Sequence, residues 1–114
     1  MSERAKLLRI YTDEAAYFGD RKVFEVIASR ARDVKMAGVT ILEAMVGFGR
    51  SAQVHRRHVL ESDRAVVIEI VDLDSALRAF VEGLSEIEGI GLMTLEAVEI
   101  LGGKARQTIA KADA

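Results

Sequence analysis

Two kinds of hydrophobic pattern alternate along this chain. Four short segments, 6–12, 39–48, 64–71 and 92–101, are rich in β-branched and aliphatic residues and predict strands. Two other segments repeat apolar residues at intervals of three and four positions, which predicts amphipathic helices. The first helical stripe is Val23, Phe24, Ile27, Ala28, Ala31 and Val34, and the second is Leu73, Ala76, Leu77, Phe80, Val81, Leu84 and Ile87.

Residues at the ends of these stripes predict where each helix begins and ends. Asp20 is the predicted N-cap of the first helix, because its carboxylate can accept from the free amides of the first turn. Gly38 is its predicted left-handed C-cap. Asp72 or Asp74 is the predicted N-cap of the second helix, and the glycine-containing turn 88–91 precedes the last strand. The order β-α-β-β-α-β indicates an α+β ferredoxin-like sandwich, a four-stranded antiparallel sheet with both helices on one face.

The face of the sheet that the helices leave open is predicted to be largely apolar. The third strand alternates Val67 and Val71 with a second set of apolar residues, the second strand alternates in a similar way, and only Glu43 and Glu69 interrupt the second face. An apolar patch that spans several strands is rarely left in water. The pattern therefore predicts a homo-oligomer whose sheets face each other, and the alternative is a monomer with a partly apolar surface.

The composition narrows the class of protein. The chain has 114 residues, half of them hydrophobic, which fits a single domain over 1–114 with a core at about 6–101 and a tail at 102–114. No cysteine is present, so disulfides, thiolate metal sites and cysteine nucleophiles are excluded. Stretches without a charged residue reach only seven positions, such as 36–42, against about 20 for a membrane span. The N-terminal stretch also lacks the long apolar core of a secretory signal, so we expect a cytoplasmic protein. The net charge of −2 argues against nucleic-acid binding.

Charge is distributed unevenly along the chain. Segment 72–99 carries seven acids and one base, whereas 50–64 carries four arginines against two acids. The tail, 102–114, carries three bases against one acid. The simplest interpretation of such segments is a solvated surface.

The connection between the second and third strands is the segment most able to carry chemistry. Residues 49–63 supply about 15 positions where a two-residue turn would suffice, and excess length is typical of functional loops. At its base Gly47 and Gly49 flank Phe48, so the backbone can approach a ligand closely. Three arginines, Arg50, Arg56 and Arg57, offer forked donors suited to phosphate or carboxylate. The alternative is a flexible surface hairpin with solubilising charge.

The sequence gives weaker evidence for a catalytic or metal-binding set of residues than for an anion site in the loop. His55 and His58 are three positions apart, but no cysteine and no close acid completes a tetrahedral set. Ser51, His55 and Asp63 lie in one loop without a nucleophile elbow. The sequence therefore predicts neither a metal site nor a catalytic centre.

Four stretches of the chain resemble a PII-like signalling family catalogued as a domain of unknown function. They are KLLRIY, GVTILEAMVGFGRSAQVHRRH, RAVVIEIVD and GLMTLEAVEI, which together span about 6–101. The resemblance implies a ferredoxin-like trimer similar to the nitrogen-regulatory PII proteins. In those proteins the loop between strands two and three, the T-loop, contacts partner proteins, and adenine nucleotides bind in clefts between subunits.

By this resemblance the ligand-binding residues fall in three segments. The T-loop base corresponds to Gly47–Arg50, the turn before the last strand to Glu88–Gly91, and basic residues after that strand to Lys104 and Arg106. Leu92 stands where the PII turn has a lysine, and the loop is shorter and lacks the tyrosine that some PII proteins have uridylylated. These departures leave a monophosphate, a cyclic nucleotide or a non-nucleotide anion open. The implied ligand contacts are Gly47, Phe48, Gly49, Arg50, Gly89, Gly91, Lys104 and Arg106, and the implied partner contacts are Ser51, Gln53, His55, Arg56, Arg57 and His58.

Three functions are consistent with these residues. The leading one is a trimeric regulator that binds a small anionic effector, an adenine nucleotide by the resemblance, and shifts the conformations of 49–63 toward one that acts on a partner protein. Because family members are often encoded near small ion-channel proteins, a membrane transporter or channel is an implied partner. The second is a small enzyme with Glu43 or Glu69 as its buried titratable group. The third is a divalent-cation-binding trimer that resembles copper-tolerance proteins, with His55 and His58 as ligands.

Overall fold

Six strands and two helices make up the part of the chain that the computed structural model describes, residues 4–44 and 65–103. Four strands form one antiparallel sheet in the order β4-β5-β1-β6, and β2 and β3 form a small hairpin. Both helices pack on the same face of the sheet, so the predicted ferredoxin-like α+β fold is confirmed. The elements are β1 (Ala5–Asp13), β2 (Tyr17–Phe18), β3 (Arg21–Lys22), α1 (Val23–Asp33), β4 (Val39–Glu43), β5 (Ala65–Leu73), α2 (Asp74–Glu82) and β6 (Leu92–Ala97).

Alternation along the two central strands decides which face of the sheet is buried. In β1 the buried residues are Leu8, Ile10 and Thr12, and each lies opposite a buried residue of β5. Burying one such aliphatic side chain stabilises the folded state by about 1.5–3 kcal/mol. This face of the sheet and the helices that cover it form the core. The helical segments contribute Val23, Val26, Ile27 and Ala31 from α1, Leu77 and Phe80 from α2, and Leu84 and Ile87 from the turns that follow α2.

The predicted caps of the first helix are both wrong. The β2–β3 hairpin occupies 17–22, so α1 begins at Val23 and Lys22 holds the N-cap position without a side-chain cap bond. At the other end Lys35, and not Gly38, takes the left-handed conformation, with φ 62°. The amide of Lys35 donates to the carbonyl of Arg32 and that of Met36 to the carbonyl of Ala31, both at 3.0 Å. These two bonds form a Schellman motif, which closes the helix before Gly38 is reached.

Replacing Lys35 by Gly is expected to raise the free energy of unfolding by about 0.5–1 kcal/mol. Glycine removes the strain of about 1–2 kcal/mol that a side chain suffers in the left-handed conformation. Against this, the greater chain entropy of glycine stabilises the unfolded state by about 0.4–1 kcal/mol. The Lys35 side chain is exposed, so its removal breaks no packing. Urea unfolding would measure the change, with Lys35→Ala as the control that keeps the strain. A stabilisation of both variants by the same amount would contradict the strain argument.

The second helix also lacks the predicted side-chain cap. Asp72 is still in β5, Leu73 holds the N-cap position, and α2 has no side-chain cap bond. Asp72 instead accepts from the amide of Ala37 at 3.0 Å and from that of Leu73 at 2.8 Å, which ties the segment after α1 to the end of β5. Asp74 is the first residue of α2, where its charge is favourable to the helix dipole, and it pairs with Arg78 at 2.9 Å.

Two predicted elements are longer than the observed ones. The second helix ends at Glu82, so Leu84 and Ile87 are buried in turns beyond it. The last strand ends at Ala97 and does not reach Leu101. The second strand ends at Glu43, and 45–48 of its predicted range lie outside the described residues.

The open face of the sheet is more polar than predicted. The register places Glu69 on it, together with Val67 and Val71, but Glu43 lies opposite Val66 and therefore on the helix side. The first and last strands add three polar residues that the pattern of the second and third strands could not reveal. The open face thus carries Leu7, Tyr11, Leu42, Val67, Val71 and Leu92 as apolar residues, and Arg9, Thr40, Glu69, Thr94 and Glu96 as polar ones.

Candidate functional site

The turn 88–91 is the part of the predicted ligand site that the structure describes. It packs against the end of β1, where the hydroxyl of Thr12 donates to the carbonyl of Gly89 at 2.7 Å. The amide of Gly91 donates to the carbonyl of Tyr11 at 2.8 Å and so leads into the β1–β6 ladder. Thr12 is buried, and its hydrogen bond fixes the turn to one end of the sheet.

The two glycines of this turn are not equivalent. Gly89 has φ +95°, and a Cβ placed on it would lie 2.8 Å from the Cβ of Ala16. A Cβ on Gly91 would lie 3.6 Å from the nearest atom, the carbonyl oxygen of Tyr11, which is an ordinary contact. The missing side chain of Gly89 therefore allows a close approach within the protomer, to Ala16 in the segment that joins β1 to β2.

Arg30 ties the segment that precedes the turn to the first helix. Its guanidinium donates to the carbonyl of Gly83 and to a carboxylate oxygen of Glu86, both at 2.7 Å. It also stands 5.5 Å from the ring centre of Phe18 in the small hairpin. β1 therefore holds the turn 88–91 itself, and α1 holds the segment that leads into it.

The base of the 45–64 connection lies at the same end of the sheet. The amide of Ala44 donates to the carbonyl of Ala65 at 2.8 Å, so the chain leaves β4 and enters β5 at adjacent points. Asp13, at the end of β1, is the register partner of Ala65. This end of the sheet therefore gathers the loop base and the turn 88–91, although β4 and β6 are its opposite edges.

Most of the predicted site residues lie outside the described part of the chain. Lys104 and Arg106 are two of them, since the described chain ends at residue 103. The other predicted residues outside it are Gly47, Phe48, Gly49 and Arg50 at the loop base, and Ser51, Gln53, His55, Arg56, Arg57 and His58 in the loop.

A charged network at the centre of the open face was missed from the sequence. Arg9 on β1 donates from Nε to Oε2 of Glu69 at 3.1 Å, and its second ion pair is with Glu96 on β6. Hydrogen bonds with Glu69 and then Glu96 raise the pKa of Arg9 above its ordinary value, so the guanidinium is charged at all physiological pH. The sequence did contain one sign of this network: Arg9 interrupts the apolar residues Leu7 and Tyr11 at alternate positions of the first strand.

The residues considered for catalysis are not isolated buried acids. Glu43 is exposed, and Glu69 is half-buried and paired with Arg9. Within 4–44 and 65–103 no group of three metal-ligating side chains comes together, and no helix there is both long and apolar enough to cross a bilayer. The two histidines proposed as metal ligands lie outside these ranges.

Solved structures similar to this chain include PII and CutA1 proteins. CPII from Thiomonas intermedia, solved with ADP and bicarbonate, superposes with a TM-score of 0.63 at 18% identity, over 88% of this chain and 91% of that one. The B. subtilis GlnK–ATP complex superposes with a TM-score of 0.57 at 16% identity, over 86% of this chain and 84% of that one. The divalent ion tolerance protein CutA1 from Ehrlichia chaffeensis superposes with a TM-score of 0.58 at 11% identity, over 98% of this chain and 97% of that one. The fold is therefore the PII-like form of the ferredoxin-like sandwich.

Sequence comparison then gives the family. The profile of DUF190, described as "Uncharacterized ACR", matches residues 5–100. The UPF0166 protein of Aquifex aeolicus is 34% identical over 102 residues, which cover 86% of this chain and 94% of that protein. The chain belongs to the DUF190 family, and the resemblance to a PII-like family of unknown function is confirmed.

Proposed function

We propose that this protein is a PII-like regulator. It assembles as a homotrimer, binds a small anionic effector between subunits, and acts on a partner protein through residues 49–63. The observation that carries this proposal is the arrangement of the loop base and the turn 88–91, at one end of the sheet but on its opposite edges. Similarity to folds solved with ADP and with ATP supports an adenine nucleotide as the effector.

The width of the sheet explains why the cleft needs two copies of the chain. Three strand spacings separate β4 from β6, which amounts to about 14 Å. Within one protomer the loop base and the turn 88–91 are therefore too far apart to hold the same phosphate. A neighbouring copy with its β4 edge beside this β6 edge brings the two segments together.

The exposed residues of the edge strands favour such an arrangement. Ile41 and Leu42 on β4 are 41% and 48% exposed, and Leu92 and Met93 on β6 are 56% and 37% exposed. The two edge strands run in opposite directions, so a copy placed head to tail continues the antiparallel alternation. A head-to-tail interface closes into a ring when its rotation allows, and a trimer is such a ring.

The cleft has the chemistry of an anion site. Gly47 and Gly49 allow close backbone approach, Arg50 adds a forked cation at the loop base, and Lys104 or Arg106 adds a second charge. Leu92 replaces the lysine of the PII turn, which favours an effector with fewer phosphates. Arg56 and Arg57 lie further along the loop and serve the partner protein, for which a membrane transporter or channel is our candidate.

Replacing Arg50 by Ala should weaken ADP binding by about 1.5–3 kcal/mol, the scale of one hydrogen bond to a charged group. Arg57→Ala, the matched control, should leave the affinity unchanged because that residue is assigned to the loop and not to the cleft. Calorimetric titration of both full-length variants with ADP would test the pair. If Arg57→Ala abolishes binding and Arg50→Ala does not, the ligand lies on the loop and the cleft is wrongly placed.

A divalent-cation-binding trimer is the second candidate function. The similarity to CutA1 proteins from Ehrlichia chaffeensis and Oryza sativa favours it, with TM-scores of 0.58 and 0.57. His55 and His58 would supply the ligands. Copper(II) titration of the protein and of a His55→Ala, His58→Ala variant separates the two functions, because binding that needs both histidines and no nucleotide would favour this one.

A further inference from the structure

The small hairpin of β2 and β3 stands beside the turn 88–91. A Cβ placed on Gly89 would lie 2.8 Å from the Cβ of Ala16. Ala16 is also tied to the start of α1, because its carbonyl accepts from the amide of Val23 at 2.9 Å. Tyr17, the first residue of the hairpin, follows Ala16 directly. The hairpin therefore begins next to the turn that we assign to the effector cleft.

The two faces of this hairpin differ in character. Phe18 packs against the core, and its ring centre lies 5.5 Å from the guanidinium of Arg30. Successive residues of a strand point to opposite faces, so Tyr17 points away from the core, and it is 57% exposed. Lys22 is the register partner of Tyr17, which puts both side chains on the same outer face. An exposed aromatic ring and a cation thus share this face.

Tyr17 is close enough to the turn to contact a small molecule that is bound there. The Cα of Ala16 lies 3.9 Å from the position of a Cβ on Gly89. Consecutive Cα atoms are about 3.8 Å apart, so at most about 8 Å separates the Cα of Tyr17 from that position. Aromatic side chains stack on the flat faces of nucleobases, with little preference among the bases. The hairpin therefore places a stacking group within reach of an effector in the cleft.

We propose that Tyr17 and Lys22 form an outer wall of the effector cleft, in which the Tyr17 ring stacks on a planar heterocycle of the effector and Lys22 faces its anionic group. This inference rests on the proposed function and deepens it, because it selects an anion that carries a flat ring. A nucleotide meets this requirement, whereas a simple anion such as inorganic phosphate does not.

Calorimetric titration of the full chain with ADP and with inorganic pyrophosphate, which has two phosphates but no ring, tests this inference. The natural protein should bind ADP at least about 10-fold more tightly than pyrophosphate, and Tyr17→Ala should lose about 10-fold or more in affinity for ADP. Tyr17→Phe keeps the ring and should bind ADP within about 3-fold of the natural protein. Lys22→Met keeps the aliphatic stem and should weaken ADP about 10-fold.

Fluorescence gives a second measurement, which decides the question if circular dichroism finds Tyr17→Ala unfolded. The chain has no tryptophan, so Tyr17→Trp introduces a single indole at the hairpin, and ADP should quench its emission saturably. Val34→Trp is the matched control, because Val34 is 60% exposed and follows the last residue of α1. It lies about 16 Å along the helix from the hairpin, so ADP should leave its emission unchanged.

The outcomes separate this inference from the proposed function. Three results would each overturn the inference and leave an anion-binding regulator standing. They are an unchanged ADP affinity of Tyr17→Ala, equal losses in Tyr17→Ala and Tyr17→Phe, and a natural protein that binds pyrophosphate as tightly as ADP. An unchanged ADP affinity of Lys22→Met would remove the cation from the wall. A natural protein that binds neither ADP nor pyrophosphate overturns the proposed effector, and the inference with it.

Discussion

Replacing Ile68 by Asp is expected to abolish the native fold. Ile68 is fully buried on β5, with Ile10 of β1 and Ile41 of β4 as its register partners. The change forfeits about 2–3 kcal/mol of apolar burial and places a carboxylate without a partner in the core, at a further cost of several kcal/mol. Together these approach the whole stability of a small domain, about 5–15 kcal/mol. Circular dichroism and thermal unfolding would measure the loss.

Val67→Asp is the matched control for this prediction. Val67 is the adjacent residue on the same strand, but it faces the open side of the sheet and is only half-buried. The control should therefore fold as a monomer and lose assembly. A cooperative transition for Ile68→Asp within a few degrees of the natural protein would contradict the observed core.

Replacing Gly89 by Ala is expected to cost about 2–5 kcal/mol of stability. The backbone at Gly89 has φ +95°, in the region that side chains disfavour by about 1–2 kcal/mol. The new Cβ would also meet the Cβ of Ala16 at 2.8 Å, and relief of that overlap must move the backbone, at about 1–3 kcal/mol. Urea unfolding at equilibrium gives the difference directly.

Gly91→Ala provides the comparison for Gly89→Ala. Its φ is not left-handed and its new Cβ would make an ordinary contact, so its stability should change by less than about 1 kcal/mol. Equal losses at the two positions would mean that the packing of the turn on Ala16 is not what makes Gly89 necessary.

The sequence predicted the strands and helices of this fold but not the caps of its first helix. The strands and helices were predictable because alternation and the 3.6-residue period are local properties of the chain. The caps were not, because the hairpin at 17–22 displaces the start of α1 and Lys35 accepts a left-handed conformation that the pattern would assign to Gly38. The hairpin overrode the local preference at the start of this helix, and the two backbone bonds at Lys35 and Met36 closed its other end before Gly38.

The candidate site also has features that the sequence predicted and features that it could not predict. The turn 88–91 could be singled out from its glycines, but the separate roles of Gly89 and Gly91 depend on Ala16, which is distant in sequence. The Arg9 network joins three strands through partners 60 and 87 residues away, and no local pattern contains that register. Family resemblance reached the PII-like class, while the ligand contacts at the loop base remain predictions.

Native mass spectrometry of the full chain with ADP, ATP and AMP tests the central claim most directly, because one spectrum reports both assembly and effector. We expect a trimer of the 12.5 kDa chain that carries up to one nucleotide for each intersubunit cleft. A monomer, or a trimer that retains no adenine nucleotide at concentrations that saturate other PII-like proteins, would contradict it.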